Sequence, residues 1–301
     1  MRRRLWSWFW LPLSLLTCCV SLSKVNVSEP AEPTVAFPTT WSEVVAGDAF
    51  KVRPKVRGTP QTDASALIVS IARYRDGTEA LGAHHDAERF RTICSYTLGI
   101  PRERITWLRD EHAMAADINQ AVRALPKSQR IYVYFAGIGA RSEASSALLL
   151  LPYDAQKHDL AQTSLKLIDL QRGLPRTADS IVFLDAGFAP GQTRALSSGT
   201  RPLERVEVHA GPASAIVLSA RASGPLVANE EGSAFSLALE RALLRGDADG
   251  DRNGTVTLNE FVTYENDELR RSNAAGERPQ QTELVLSGDP SRLELVWGLH
   301  D

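Results

Sequence analysis

A chain of 301 residues with 43% apolar side chains holds enough material for one large α/β domain with appendages. A formal charge of −2, with no basic stripe interleaved with aromatics, excludes a nucleic-acid-binding surface. Of the three cysteines, Cys18 and Cys19 lie in the N-terminal apolar run, so Cys94 is alone in the remainder and an internal disulfide is excluded.

"MRRR" followed by "LWSWFWLPLSLLTCCV" is a basic segment before an apolar run too short for a comfortable membrane span, and residues 1–23 read as an export signal. Cleavage after Ser23 places Ser21 and Ser23 at the small-residue positions. A lipid anchor on Cys18 or Cys19 is the second reading, disfavoured by the bulk of Thr17. An uncleaved anchor is third, because Pro12 interrupts the run. The expected location is periplasmic, cell-envelope or secreted, with membrane attachment through the N-terminus only. Residues 24–62, rich in Pro, Ser, Thr and Val, read as an extended linker. Within it "WSEVVAGDAFKVRPKV" is compatible with an edge strand, Pro54 arguing against a central one.

The domain expected over 63–301 opens with "ALIVSIARY", a buried-strand run from Ala66 to Tyr74. "GAHHDAERFRTICSYTLGI" has helical spacing, with Ala87, Phe90, Cys94 and Leu98 on one apolar face that ends near Gly99. "RITWLRD" reads as a strand and "AMAADINQAVRAL" as a helix. "RIYVYFAGIGAR", Arg130 to Arg141, follows as a strand apolar on both faces and is expected to run into a glycine turn at Gly137 and Gly139. "ALLLLPYDA" is a short apolar run, "SLKLIDLQRGL" a helix begun by Ser164, and "DSIVFLDAGFA" a second all-apolar strand ending in a glycine loop. "SAIVLSA" is the next strand, Ser233 to Leu244 the next helix, and "RLELVW" is expected to close the sheet. This alternation predicts an α/β fold with a mostly parallel sheet sandwiched by helices.

The order of elements and the residues at their ends resemble the caspase and metacaspase-like cysteine peptidases. "GAHHDA" is similar to the family segment opening the first helix, "LLPYDA" to a later one, and "NAAGERPQQTELVLSGDP" to the C-terminal one with the order of Pro279 and Gln280 reversed. The resemblance implies the three-layer caspase-hemoglobinase-like fold. It also implies that the catalytic histidine position is Ile138, in Ala136-Gly137-Ile138-Gly139, and the nucleophile position Gly187, in Asp185-Ala186-Gly187. Cysteine attack needs a thiolate and a base within hydrogen-bond reach, and neither residue offers an ionisable group. A pseudopeptidase is therefore expected.

The resemblance further implies that Asp86 and Asp185 line a pocket for an arginine or lysine side chain of a protein or peptide ligand. Their own chemistry leaves a second reading open, Asp86 as a helix cap and Asp185 bonded to local backbone. His84 and His85 are the histidines near the expected cleft, and Cys94 reads as a core residue.

"DGDRNGTVTLNE", Asp249 to Glu260, fits a calcium loop of the EF-hand type. Asp249, Asp251 and Asn253 take the first, third and fifth places and Gly254 the turn. Thr255 offers a carbonyl, Thr257 the ninth ligand and Glu260 the twelfth. Thr257 with Glu260 also forms a capping box for the following helix. The helix before the loop stops near Gly246, a shortened approach, and a partner loop is lacking. The expected function is calcium-dependent protein or peptide binding by an inactive caspase-like domain. The alternatives are an endopeptidase using relocated residues and a structural envelope protein.

Overall fold

Strands without a polar side need cover on both faces, and the chain supplies it. In the computed structural model the described residues are 54–142, 145, 147–188, 212–221, 228–229, 232–272 and 280–300. The expected export signal, Cys18, Cys19 and most of the expected linker lie outside them. The first half contains β1 (Ala64–Ser70), α1 (Ala83–Thr92, continued by a π-turn over Ile93–Thr97), β2 (Ile105–Arg109), α2 (Ala115–Ala124), β3 (Arg130–Arg141), β4 (Leu148–Leu150), β5 (Leu165–Lys166) and α3 (Leu167–Gly173). The second half contains β6 (Asp179–Gly187), β7 (Ala213–Arg221), the short pair β8 (Ala228–Asn229) and β9 (Gly232–Ser233), α4 (Ala234–Leu244), β10 (Thr255–Val256), α5 (Leu258–Ser272), β11 (Gln280–Gly288) and β12 (Val296–Trp297).

The main sheet runs β11-β7-β6-β3-β1-β2, antiparallel between β11 and β7 and parallel at every other step. The path from β1 to β2 steps one way across the sheet and that from β2 to β3 steps back, so right-handed crossovers put α1 and α2 on opposite faces. Ring packing assembles the α1 face. Phe90 of α1 stacks on Tyr134 of β3 at 4.6 Å, and Phe183 of β6 meets both Phe90 and Phe261 of α5. Ala87, Phe90, Cys94 and Leu98 are all buried, as their spacing predicts. The result is the three-layer α/β arrangement expected from the alternation.

Three local expectations change. β3 does not turn at its glycines; it continues in strand conformation to Arg141 and pairs antiparallel with β4. The glycines instead permit close approach. A Cβ on Gly137 would lie 2.7 Å from the Tyr74 hydroxyl, and one on Gly139 would lie 2.8 Å from the Gly187 carbonyl oxygen and 2.5 Å from the Phe188 ring. Ser164 does not cap a helix, since β5 intervenes and α3 starts after Lys166. "RLELVW" does not close the main sheet: β11 does, while β12 pairs with β10 in a separate two-stranded ribbon. Apolar alternation marks such a segment as a strand but carries no information about its partner.

Residues 54–62, placed in the linker by composition, are held to the domain. Gly58 N donates to Thr97 O, Thr59 N to Trp297 O, and Arg57 bridges His300 in antiparallel fashion. Buried Gln61 donates to Leu295 O and accepts from the Tyr132 hydroxyl at 2.7 Å.

Gly139→Ala is expected to destabilise the chain by about 1–3 kcal/mol, because the obstructing Gly187 oxygen belongs to the neighbouring strand's backbone and cannot rotate away. Urea denaturation of the full chain with and without the substitution measures this, and an unchanged midpoint would refute the packing role.

Candidate functional site

In open α/β sheets the carboxyl ends of the strands are where ligands usually meet the fold. There Ile138 of β3 stands in direct register with Gly187 of β6. Ile138 is 1% exposed, its N–H donates to the Tyr74 hydroxyl at 2.7 Å, and its carbonyl accepts from Leu151 N. The space beside it, lined by Tyr74, Leu151 and Ala155 among others, amounts to about 10 Å³, room for about one water at most. The two positions that the resemblance assigns to base and nucleophile therefore adjoin, one filled by an aliphatic side chain and the other bare.

Relocated chemistry has one geometric candidate among the described residues. His84 of α1 bonds Ser70, the last residue of β1, through Nδ1 at 2.9 Å, and Asp110 through Nε2 at 2.8 Å. Ser70 also accepts from Trp107 Nε1 at 2.9 Å and is fully buried. The second Asp110 oxygen accepts from the Ala72 and Arg73 N–H groups. Burial pushes the Asp110 carboxyl upward, but the His84 bond and the two backbone donors outweigh it and hold it below the usual carboxylate range. Serine, histidine and aspartate are thus in line, yet both ring nitrogens are committed and the hydroxyl faces no solvent. The row ties the end of β1 to α1 and to the left-handed turn at Asp110, φ 40°. A cavity of about 480 Å³ opens beside it, lined by Arg73, Glu79, Leu81, His84, His85 and Asp110. Ser70 and Asp110 escaped the sequence reading; Asp110 ends the predicted strand "RITWLRD", whereas Ser70 falls inside the predicted run Ala66 to Tyr74 and ends β1 only in the structure. Cys94 is interior, and burial pushes its thiol well above the ordinary range, away from the reactive thiolate.

The acids Asp86 and Asp185 do come together, with Ser233 between them. Asp86 Oδ1 accepts from Ser233 N at 2.8 Å and from the Ser236 hydroxyl. Asp185 Oδ2 accepts from the Ser233 hydroxyl and from the Tyr134 hydroxyl at 3.0 Å. The guanidinium that meets Asp86 is the chain's own Arg89, at 3.5 Å, and its Nε donates to Glu240 at 2.7 Å. Both aspartates are fully buried, so the pair forms a closed polar layer beneath α4. Arg89 and Glu240 were missed because a charge on a helix reads as surface, Arg89 among the other charges of its helix and Glu240 as a lone acid in an apolar one.

In the loop 249–260 the carboxyl oxygens of Asp249, Asp251 and Glu260 lie within 4.8 Å of one another. Gly254, at φ 79°, supplies the left-handed turn its place requires, and Arg252 adopts φ 59° at a cost for a residue bearing a Cβ. Asp249 oxygens receive Asn253 N and Gly254 N, and Asn253 Oδ1 receives Thr255 N. Thr257 and Glu260 close the capping box, Glu260 Oε2 accepting from Thr257 N and Glu260 N donating to Thr257 Oγ1. Buried Val256, in the eighth place, joins the loop to β12, which supplies the strand that a second calcium loop would otherwise contribute. The helix ahead does stop early, α4 ending at Leu244 before Gly246 at φ 75°. The donor set, all oxygen with three carboxylates, fits a hard divalent cation.

Among solved structures, the chain is similar to caspase-1 from Spodoptera frugiperda, with a TM-score of 0.50 and 17% identity over 77% of this chain and 88% of that one. It is also similar to a protein from Geobacter sulfurreducens, with a TM-score of 0.51 and 15% identity over 78% of this chain and 97% of that one. No family model matches the sequence, and no curated protein does. The likeness shows the caspase-like fold.

Arg89→Met leaves Glu240 buried without its 2.7 Å donor and is expected to destabilise the chain by about 3–5 kcal/mol, whereas Arg89→Met with Glu240→Leu recovers most of that loss. Thermal denaturation of the two variants decides it; equal losses in both would mean that the pair is not the unit holding α1 to α4.

Proposed function

We propose that this caspase-fold chain is a pseudopeptidase, a non-catalytic protein that binds a protein or peptide and takes calcium at residues 249–260. The observation that carries the reading is the register of Ile138 with Gly187, an aliphatic side chain and a bare backbone at adjoining strand ends. Covalent cysteine catalysis splits one hard step into two only if a thiolate attacks and a neighbouring base manages the proton, and here both groups are missing from the place where the fold would put them. A peptidase working through Ser70 and His84 would first have to bring Ser70 out of the core and away from Trp107.

The resident cation would be held by Asp249, Asp251, Asn253, Thr257, Glu260 and the Thr255 carbonyl. Calcium would supply the positive charge that lets three converging carboxylates coexist, since none of them has an ion pair among the described residues. Glu260 belongs to α5, so its coordination would fix the start of that helix. The name of the caspase neighbour points to a polypeptide ligand. Asp86 and Asp185 would receive a basic side chain only after Ser233 gives up its bonds to both. Export, read from residues 1–23, would place the loop in calcium-rich surroundings, where weak single sites are filled.

Calcium at about a hundredfold excess over its dissociation constant is expected to stabilise the chain by about 2.7 kcal/mol, a melting-temperature rise that Glu260→Gln should abolish. A wild-type melt insensitive to calcium would sink the metal assignment. Peptides containing arginine or lysine are expected to remain uncleaved with calcium or with a chelator, and cleavage that co-purifies with the chain and is lost in Ser70→Ala or His84→Ala would replace this reading with the peptidase.

A further inference from the structure

Four carboxyl groups, those of Asp86, Asp185, Glu240 and Glu265, are fully buried among the described residues. Asp86, Asp185 and Glu240 have the donors described above, but neither oxygen of Glu265 has a hydrogen-bond partner among the described residues. A buried carboxyl left in that state costs free energy, so its position calls for an explanation. Glu265 lies on α5 one turn beyond Phe261, whose ring meets Phe183 of β6 edge-on at 6.0 Å, so this side of the helix faces the strand that carries Asp185.

The charged groups around it offer no relief. Asp185 comes from β6, with Tyr134 of β3 bonded to it, and Glu268 lies a turn further along α5, paired at 2.6 Å with Arg241 of α4. Glu240 of α4 and Asp86 of α1 share Arg89, and Glu283 of β11 lies in the field of Arg141. Burial first, then the charges of Asp185 and Glu268, push the Glu265 carboxyl well above the usual carboxylate range.

We propose that Glu265 is a proton-operated latch between α5 and the sheet: neutral, it lets the helix lie over Asp185, and ionised, it drives the helix off β6 and admits water to the acidic layer. The sign follows from linkage. The docked state holds the proton more tightly than the open one, so docking is fully stable below the ordinary glutamate range and is lost as pH rises through the raised value. Within that window each opening releases one proton, and the opening equilibrium constant grows about tenfold per pH unit.

Hydrogen exchange of the α5 amides in the full chain, corrected for intrinsic exchange and followed from about pH 5.5 to 8.5 with a chelator present, tests the latch independently of any metal. Protection of Phe261–Leu269 is expected to fall with rising pH in the wild type, by up to about tenfold per pH unit, and to be flat in Glu265→Gln and Glu265→Leu. A slope shared by all three proteins overturns the proposal, as does a flat wild type. Should one variant fail to fold, the other carries the comparison. Failure of both also counts against it, because a neutral side chain is what the docked state is proposed to contain.

Discussion

Ser233 performs three jobs with one residue, and the polar interior depends on it. Its hydroxyl caps α4 by accepting from Ser236 N, the same hydroxyl donates to Asp185 on β6, and its backbone N–H donates to Asp86 on α1. Two buried carboxylates from separate elements thereby receive donors at the start of a third. Ionised groups taken out of water cost several kcal/mol each, so such a layer fixes one arrangement of α1, α4 and β6 rather than adding stability overall. It also dictates the residue before it. Gly232 sits at φ 123°, and any Cβ there would collide with Asp86 and the Arg89 guanidinium.

Ile138 and the polar layer show two ways of handling the crossover edge of this fold. At Ile138 the strand ends meet with a buried aliphatic side chain beside a bare glycine, and the cavity there has room for about one water at most. One strand width away, at β1, the edge is organised by Ser70, His84 and Asp110, with the serine hydroxyl and both ring nitrogens of the histidine bonded. Side chains that would suit catalysis serve there as fasteners, because a hydroxyl that is wholly buried and a histidine bonded at both nitrogens have nothing left to offer a substrate.

Much of this was legible in the residues. β3 and β6 announce themselves through continuous apolar runs, which only a doubly covered parallel sheet explains, and their terminal residues located Ile138 and Gly187 correctly as neighbours. What failed was information that sequence period does not carry. Glycine at 137 and 139 signals either a turn or close approach, and only the packing of Tyr74 and Phe188 decides between them. The partner of "RLELVW" is set by tertiary geometry. Asp86 and Asp185 were picked out as a pair, but what the pair can do is determined by Ser233 and Glu240, which come from distant positions, and by Arg89, one helical turn from Asp86, whose charge looks like ordinary helix surface.

The pairing of β10 with β12 has a kinetic consequence. The twelve-residue loop looks local, yet its backing strand arrives from a part of the chain that is itself fastened to residues before β1, Gln61 to Leu295 across a separation of 234 residues. Closing such a span is among the slower steps of folding, because its entropy is lost before any contact rewards it. The cation site would thus mature last, in a molecule whose sheet is already assembled, and metal capture would report completed folding rather than direct it.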